Sequence, residues 1–291
     1  EKSSQQYTKE MEEYNCVYQH WLKSTEEVKQ KDPQASWKEI HKICGECPWP
    51  QPVGWQSPFR PNGLHETMIR RIAPYSLRGF LYYQGEEDVQ RYADYLDMML
   101  MLVKQWRMDW NDWNLPFLFV QLPMYLADGE KDDSYWALQR EQQYIASMMI
   151  QNAGMISLAD CGEYDNIHPL DKKTPGERLF QLAKNLVYDK QGTITATAAQ
   201  LFSDNGKLYV TFDHLHEKLV MQTANGCPFE ISGEDNLFYP AKADVIHGNM
   251  LCISNPAVKF PSAVKYAWYN FGEAVLFTES GNPVSPFFKC V

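Results

Sequence analysis

The sequence predicts an α/β fold in which helices flank a parallel sheet, followed by an all-β domain that resembles a sandwich. Three observations lead to this prediction. Short apolar runs alternate with segments of helical period between about residues 64 and 189. Beyond about residue 190 the helical period disappears, and short strand-like segments are separated by Gly, Asn and Pro. The chain of 291 residues is also long enough to bury a sizeable core.

Residues 1–63 are predicted to be a helical segment and a loop that belong to the same domain as the sheet. The stretch 5–45 is rich in charged residues, and its aromatic and apolar residues between 14 and 21 follow helical spacing. We interpret this stretch as a pair of surface helices. Residues 46–63 are rich in Pro, Gly and Trp, which is typical of a loop.

Residues 64–189 are predicted to supply the strands and the flanking helices of the sheet. The predicted strands are residues 79–83, 116–122 and 155–159. The predicted helices are residues 88–110, residues 134–150 and a third helix that begins near residue 174. Thr174 suits the N-cap of this third helix, Pro175 suits its first turn, and Glu177 completes a capping box.

Residues 190–291 are predicted to form the β domain. The clearest strand-like segments are residues 207–212, 250–253, 264–268 and 274–277. Because turn residues separate these segments and no long helical pattern interrupts them, we expect an all-β arrangement.

The composition excludes several classes of partner. The formal net charge is -10, so nucleic acid and anionic membranes are not expected partners. No apolar run approaches the roughly 20 residues that a membrane-spanning helix needs. Aromatic residues make up 14% of the chain, which fits an aromatic-lined carbohydrate site and equally fits a large core.

The seven cysteines do not predict a disulfide framework, because their number is odd and their spacing is scattered. Cys44 and Cys47 form a lone C-x-x-C, and a zinc site would need a second pair of ligands that the sequence does not offer. We therefore expect structural thiols, no metal and no cofactor. Reducing, cytoplasmic conditions are favoured, while a secreted or periplasmic location stays open.

The loop after the third predicted strand contains the most specific candidate for a catalytic site. Ligands of open parallel sheets bind at the carboxyl ends of the strands. There, Asp165 stands three residues before His168. A carboxylate at this spacing can accept the Nδ1 proton of the imidazole, which leaves Nε2 as a general base. Pro169 restricts the backbone of His168 to extended conformations. The alternative is an ordinary polar turn in which Asp165 binds backbone amides and His168 is solvated.

One further strand end and the second helix carry polar candidates. After the first strand, Gln84 could donate its amide to an oxyanion, Gly85 allows close backbone approach, and Glu86 could orient its neighbours. The alternative is a helix entry whose acidic residues favour the helix dipole. On the second helix, Arg140 could anchor a loop or a substrate acid, and a surface ion pair is an equal alternative.

These motifs together resemble the sialate O-acetylesterases, which are serine esterases of the SGNH type that act on carbohydrates. Residues 79–88 (GFLYYQGEED) resemble the family's strand and "W-Y-Q-G-E-S-D/N" loop. The similarity runs from about residue 54 to the end of the chain. Further segments follow the family pattern in order: residues 60–64, 106–110, 115–122, 138–143, 165–169, 176–179, 264–268 and 281–287.

The resemblance implies roles for these residues. His168 would be the general base, Asp165 would orient it, Gln84 would supply an oxyanion donor, and Glu86 would support that loop. The implied substrate is an O-acetylated sugar, either sialic acid or an acetylated polysaccharide, and no cofactor is implied. A non-catalytic carbohydrate-binding or structural module derived from this family is the alternative.

One departure from the family is large. The "G-Q-S-N-M" block that carries the nucleophile and the "G-G-T" block with an oxyanion glycine are absent. We therefore expect that the SGNH-like sheet is incomplete in this chain and that an N-terminal companion polypeptide carries the serine. Ser57 lies in a sequence that superficially resembles "G-Q-S", but a Pro follows it and no strand-to-helix elbow is predicted there.

Overall fold

A computed structural model describes residues 3–73, 75–223 and 225–291. The chain forms two compact units, Glu1–Ser76 and Leu77–Val291. The domain boundaries predicted after residues 63 and 189 stay predictions.

The first unit contains the predicted helix pair. Helix α1 spans Ser4–Lys31 and α2 spans Trp37–Cys44. The Ser36 hydroxyl accepts the Glu39 N–H, and the Glu39 carboxylate accepts the Ser36 N–H, so α2 begins with a capping box. The indole of Trp21 on α1 donates to the Gly45 carbonyl at 2.9 Å, which ties the two helices together. A π-turn at His65–Ile69 and a short helix α3 at Arg70–Ile72 follow the loop.

The second unit begins with a three-stranded parallel sheet, which confirms the predicted mixed α/β fold. Its strands are β1 (Phe80–Tyr82), β2 (Phe117–Gln121) and β3 (Ala153–Ser157), in the spatial order β1-β2-β3. The main helices are α4 (Tyr92–Asp109), α5 (Tyr135–Met149) and α6 (Lys173–Leu186). Strand β3 begins two residues before the predicted segment. All three strand segments and all three helices expected between residues 64 and 189 are therefore present.

Both faces of the central strand β2 are buried, which explains why residues 117–120 are all apolar. Phe117 and Phe119 pack in one cluster with residues of α4 and α5. Leu118 and Val120 pack in another with residues of β3 and α6. Because successive side chains of a strand point to opposite faces, helices cover the sheet on both sides.

Two predicted helix starts are wrong in detail. The helix expected from residue 88 begins with a 3-10 segment at Glu86–Arg91 before α4. The capping box expected at Thr174 and Glu177 is absent from α6. Instead, the Asp171 carboxylate accepts the backbone N–H groups of residues 173 and 174, each at 3.0 Å. The physical reason is that Asp171 precedes Thr174 and satisfies the first free amides of the helix itself.

The remainder of the second unit consists of antiparallel strands. They form sheets of order β4-β5-β10-β9 and β13-β11-β7-β8 and a two-stranded pair β12-β6. One apolar cluster joins these sheets and also includes Met124 and Ala159 from the loops that follow β2 and β3. The sandwich arrangement stays a prediction. The strands are β4 (Thr197–Asp204), β5 (Lys207–Asp213), β6 (Leu219–Met221), β7 (Phe229–Ser232), β8 (Tyr239–Pro240), β9 (Lys242–Ile246), β10 (Met250–Ser254), β11 (Ala263–Tyr266), β12 (Leu276–Thr278) and β13 (Phe287–Cys290).

Two further properties concern the described ranges as a whole. None of the helices within them combines the length and the apolar character needed to cross a membrane. All seven cysteines are free thiols, and those at positions 44 and 47 are partly buried.

Candidate active site

The carboxyl ends of the three parallel strands bring the predicted site loops to one edge of the sheet. Gln84 follows β1, Gln121 ends β2, and the loop that contains His168 follows β3. Because all three strands run in the same direction, these loops emerge on the same side. This edge is therefore the candidate active site.

The side-chain amide of Gln84 is held in one orientation. Its Oε1 accepts the Tyr82 hydroxyl at 2.9 Å, and its Nε2 donates to the Asp88 carboxylate at 2.6 Å. The opposite orientation would place the amide oxygen against a carboxylate, so Asp88 determines which way the amide points. One N–H of Nε2 is committed to Asp88, and the second can serve an oxyanion. Asp88 and Tyr82 were not among the predicted site residues, although Asp88 lies in the same acidic run.

Gly85 allows the close approach that the sequence predicts, and the approaching groups are side chains of α5. Its φ is 144°, which L residues rarely adopt. A Cβ at this position would lie 3.1 Å from the Nε2 atoms of both Gln139 and Gln143. Gln143 also accepts the Leu122 N–H at 2.8 Å, so α5 supports the ends of β1 and β2 together.

Glu86 lies half-buried at the start of the 3-10 segment and acts on two neighbouring tyrosines. Burial, with smaller contributions from Asp88 and Glu86, raises the pKa of Tyr82 to about 12. Burial and Glu86 likewise raise the pKa of Tyr83 to about 12. Tyr82 therefore keeps its proton at neutral pH and can donate to Gln84. The predicted supporting role of Glu86 stays a prediction.

The loop after β3 is attached to α6 by an ion pair. The Arg178 guanidinium donates two hydrogen bonds of 2.7 Å to the Asp160 carboxylate and one of 2.9 Å to the Ser157 carbonyl. Both side chains are largely buried, and a bidentate pair of this kind defines geometry well. It fixes the base of the loop that carries His168.

Glu163 organises the tip of this loop. Its carboxylate accepts the Leu170 N–H at 2.6 Å and the Asn166 side-chain amide at 2.7 Å. These hydrogen bonds hold the pKa of Glu163 below its usual value. The Asn166 amide oxygen in turn accepts the His168 N–H at 3.1 Å. The backbone of His168 is thus positioned while its imidazole is exposed to solvent.

Asp165 is not joined to His168 by any hydrogen bond in the described structure. Its φ is 57°, and its carboxylate accepts the Asp128 N–H at 2.9 Å. Its own N–H donates to the Leu126 carbonyl at 3.0 Å. Asp165 therefore connects the loops after β2 and β3. This arrangement matches the alternative prediction, in which Asp165 binds backbone amides in an ordinary polar turn. Its role as the residue that orients His168 stays a prediction.

Arg140 is a buried anchor of loops, and the alternative of a surface ion pair is wrong. Only 1% of it is exposed. Its guanidinium donates to the Pro123 carbonyl at 3.4 Å and to the Tyr269 carbonyl. Burial lowers the pKa of Arg140 to about 10, so it stays charged at neutral pH. The loop-anchoring prediction matches these contacts, whereas a buried side chain has no access to a substrate acid.

Asn270 connects the β strands to the same edge of the sheet and was not predicted. Its side-chain oxygen accepts the Trp136 N–H at 3.0 Å, and its side-chain amide donates to Asp133 at 2.9 Å. Its backbone N–H donates to Asp132 at 2.8 Å, and its carbonyl accepts the Tyr125 N–H at 2.8 Å. Asn270 therefore caps α5 from 134 residues away and holds the loop after β2. No local sequence signal could have identified it.

A nucleophile for His168 is not found among the described residues, since no serine, threonine or cysteine side chain hydrogen-bonds to its imidazole. Ser57 is fully buried in the first unit. Its hydroxyl accepts the Phe59 N–H at 3.1 Å, as expected for a turn residue.

Comparison with known proteins identifies similar carbohydrate esterases. Residues 52–185 match the family model described as "Carbohydrate esterase, sialic acid-specific acetylesterase". The chain is 27% identical over 260 residues to the sialate O-acetylesterase of Mus musculus, a match that covers 79% of this chain and 47% of that protein. The Homo sapiens sialate O-acetylesterase is 24% identical over 208 residues.

A solved structure shows the same relationship in three dimensions. A carbohydrate acetylesterase from Xanthomonas citri superimposes with a TM-score of 0.72 at 32% identity, covering 78% of this chain and 53% of that one. The chain therefore spans about half the length of the relatives it matches. Over residues 52–185, the chain matches the sialic acid-specific acetylesterase family of carbohydrate esterases.

Proposed function

We propose that this chain is part of a serine esterase that removes O-acetyl groups from carbohydrates, and that a polypeptide segment outside these 291 residues carries the nucleophilic serine. The observation that carries the proposal is the placement of Gln84 and His168 at one edge of a parallel sheet, in a chain whose residues 52–185 match the acetylesterase family. The segment would be either N-terminal to this chain or a separate chain.

The proposed reaction is a two-step acyl transfer. His168 Nε2 takes the proton of the serine hydroxyl, whose oxygen attacks the acetyl carbonyl. The second N–H of Gln84 Nε2 donates to the oxyanion of the tetrahedral intermediate. The intermediate collapses to the acetyl-enzyme, and His168 returns its proton to the departing sugar oxygen. Water then attacks the acetyl carbonyl as His168 takes its proton. The ester bond to the serine oxygen breaks, His168 returns the proton to that oxygen, and acetate is released.

Strand β1 supports the idea that another segment completes the sheet. It forms the edge of the order β1-β2-β3, so one side of its backbone has no neighbouring strand in the described structure. Leu81, at its centre, is 65% exposed. An apolar residue in a central position of a parallel sheet is normally covered.

A groove beside β1 supports the same proposal. Leu81, Leu179 and Phe180 line it together with residues of the C-terminal end of α6, and its volume is about 520 Å³. Phe180 is 60% exposed, which is unusual for a large aromatic side chain next to a sheet. A strand added along β1, with its connecting helix, would cover both features.

The role of Asp165 requires a local rearrangement under this proposal. Its carboxylate would exchange the Asp128 N–H for the Nδ1–H of His168. The bond to Asp128 also favours the second candidate function, a non-catalytic carbohydrate-binding or structural module derived from the family. Release of acetate separates the two candidates.

The experiment measures acetate release by the chain together with the segment that completes its sheet, using acetylated oligosaccharides and 4-nitrophenyl acetate. We expect turnover that His168→Ala abolishes without lowering the melting temperature. His214→Ala, which changes a histidine outside the site loops, is the control and should keep full activity. Glycan binding without acetate release would instead establish the non-catalytic module, and undiminished turnover in His168→Ala would remove that residue from the mechanism.

A further inference from the structure

A second cavity adjoins the loop that carries His168. Its volume is about 300 Å³, at the lower end of the range for small-molecule sites, which suits a single sugar ring. Gly162 belongs to this loop, and Tyr164 two residues later contacts Phe271 on the opposite wall, with ring centroids 5.6 Å apart. The lining includes Asp160, Gly162, Gln222, Phe271, Glu273 and Phe277.

The wall that presents Phe271 is rigidly held. Its neighbour Asn270 makes four hydrogen bonds, to the first turn of α5, to the loop before α5 and to Tyr125, and Arg140 donates to the Tyr269 carbonyl. Phe271 itself is only half-buried. A half-exposed aromatic ring on a fixed loop can pack against the apolar face of a sugar without further ordering cost.

The polar groups of this cavity suit hydroxyl groups. The side chain of Gln222 is exposed and has no hydrogen-bond partner within the described ranges, so it can both donate and accept. Glu273 accepts the Asn225 N–H and side-chain amide, each at 2.8 Å, which lowers its pKa and keeps it ionised. Each carboxylate oxygen retains a further lone pair for a sugar hydroxyl.

The charges of the cavity disfavour an anionic ligand. Asp160 is paired with Arg178, whereas Glu273 has no cationic partner within the described structure. The lining thus carries one uncompensated negative charge. A ligand carboxylate at this position would be repelled, and the repulsion would weaken as salt increases.

We propose that this cavity is a subsite for a neutral sugar unit of the acetylated substrate, with Phe271 as its stacking platform and Gln222 and Glu273 as its hydroxyl partners. The proposal rests on the proposed function, because it assigns a sugar unit of the substrate on which that esterase would act. It selects acetylated neutral oligosaccharides over O-acetylated sialic acid, which carries a carboxylate.

Binding to the 291-residue chain together with the segment that completes its sheet tests the subsite without any need for turnover. Acetylated xylo-oligosaccharides and 9-O-acetylated N-acetylneuraminic acid are titrated by calorimetry and by saturation-transfer NMR at two salt concentrations. We expect the neutral ligand to bind at least about tenfold more tightly at low salt. Phe271→Ala should weaken neutral-ligand binding about tenfold, and Gln222→Ala should weaken it a few-fold.

Phe260→Ala is the matched control, because Phe260 is an exposed phenylalanine outside the cavity and its loss should leave binding unchanged. Gln222→Ala keeps the test valid if Phe271→Ala fails to fold, since Gln222 is exposed. Equal binding by the parent and both cavity variants, or tighter binding of the sialic acid, would overturn the subsite. Loss of acetate release with intact sugar binding would count against the proposed function alone.

Discussion

Asn270→Ala tests whether the β strands hold the candidate active site together. The substitution removes the acceptor of the Trp136 N–H and the donor to Asp133, while the backbone bonds of residue 270 can persist. Helix α5 has no N-cap side-chain hydrogen bond from Ser134, so the Trp136 N–H has no local replacement.

The expected cost follows from burial. Leaving the buried Trp136 N–H without an acceptor costs about 1–3 kcal/mol, and losing the bond to the Asp133 carboxylate adds about 1 kcal/mol. We therefore expect the free energy of unfolding to fall by about 2–4 kcal/mol in urea titrations. Amide exchange should accelerate first at residues 125–138, because these amides depend on the anchored loop and on the capped helix end.

A second variant separates hydrogen bonding from charge. Asn270→Asp keeps the acceptor for the Trp136 N–H but places a carboxylate beside Asp132 and Asp133. It should be at least as destabilised as Asn270→Ala at pH 7 and should recover toward pH 4 as carboxylates protonate. Asn282→Ala, which removes only a surface hydrogen bond to Ser280, is the control. An unfolding free energy for Asn270→Ala within about 0.5 kcal/mol of the parent would refute this reasoning.

Three further predictions concern the scaffold of the site. Gly85→Ala should destabilise the second unit by about 1–3 kcal/mol and lower any esterase activity, because its φ of 144° and two nearby glutamine amides disfavour a Cβ; wild-type stability by urea titration would contradict this. Burial raises the pKa of Glu141 from 4.5 to about 7, so the folded state favours the protonated form of this carboxyl group. The stabilisation that the folded state gains from protonation of Glu141 is complete below pH 4.5 and is lost as the pH rises through 7. Glu141→Gln should therefore be about 2–3 kcal/mol more stable than the parent at pH 8 and equal to it at pH 4, whereas a pH-independent difference would show that Glu141 is not the cause. Arg178→Lys should lose the bidentate bond to Asp160 and increase proteolysis of the loop at residues 160–170, and protease resistance equal to that of the parent would argue against this anchor.

The sheet could be predicted from sequence because burial leaves a strong local pattern. Strand β2 is buried at all five positions, and its first four residues are all apolar. Strand β1 was also located correctly, although Leu81 is exposed. The apolar sequence of a strand therefore indicates that its residues are suited to burial, even where a side chain such as Leu81 is exposed in this chain.

The one capping box expected from the sequence, at Thr174 and Glu177, does not form, whereas Ser36 and Glu39 form one that was not predicted. At α6, Asp171 and Thr174 are both good capping residues three positions apart, and local sequence does not decide between them. At α5 the capping residue is Asn270, which only the tertiary fold brings near.

Local sequence also could not predict the surroundings of the charged residues of the site. The composition of the segment around Arg140 suits a surface helix as well as a buried one, and only packing against the Pro123 and Tyr269 carbonyls distinguishes the two. The spacing of Asp165 and His168 cannot reveal that Asp165 adopts a positive φ and directs its carboxylate to Asp128. Backbone conformation in loops depends on contacts between distant segments.

The most direct test of the proposed mechanism is active-site labelling with a fluorophosphonate, followed by mapping of the modified peptide by mass spectrometry. The preparation contains this chain and the segment that completes its sheet. The proposed mechanism predicts one phosphonylated serine, located outside the 291 residues of this chain, and a loss of labelling in His168→Ala. A modified serine within the 291 residues, or labelling of His168→Ala at the parent rate, would contradict it.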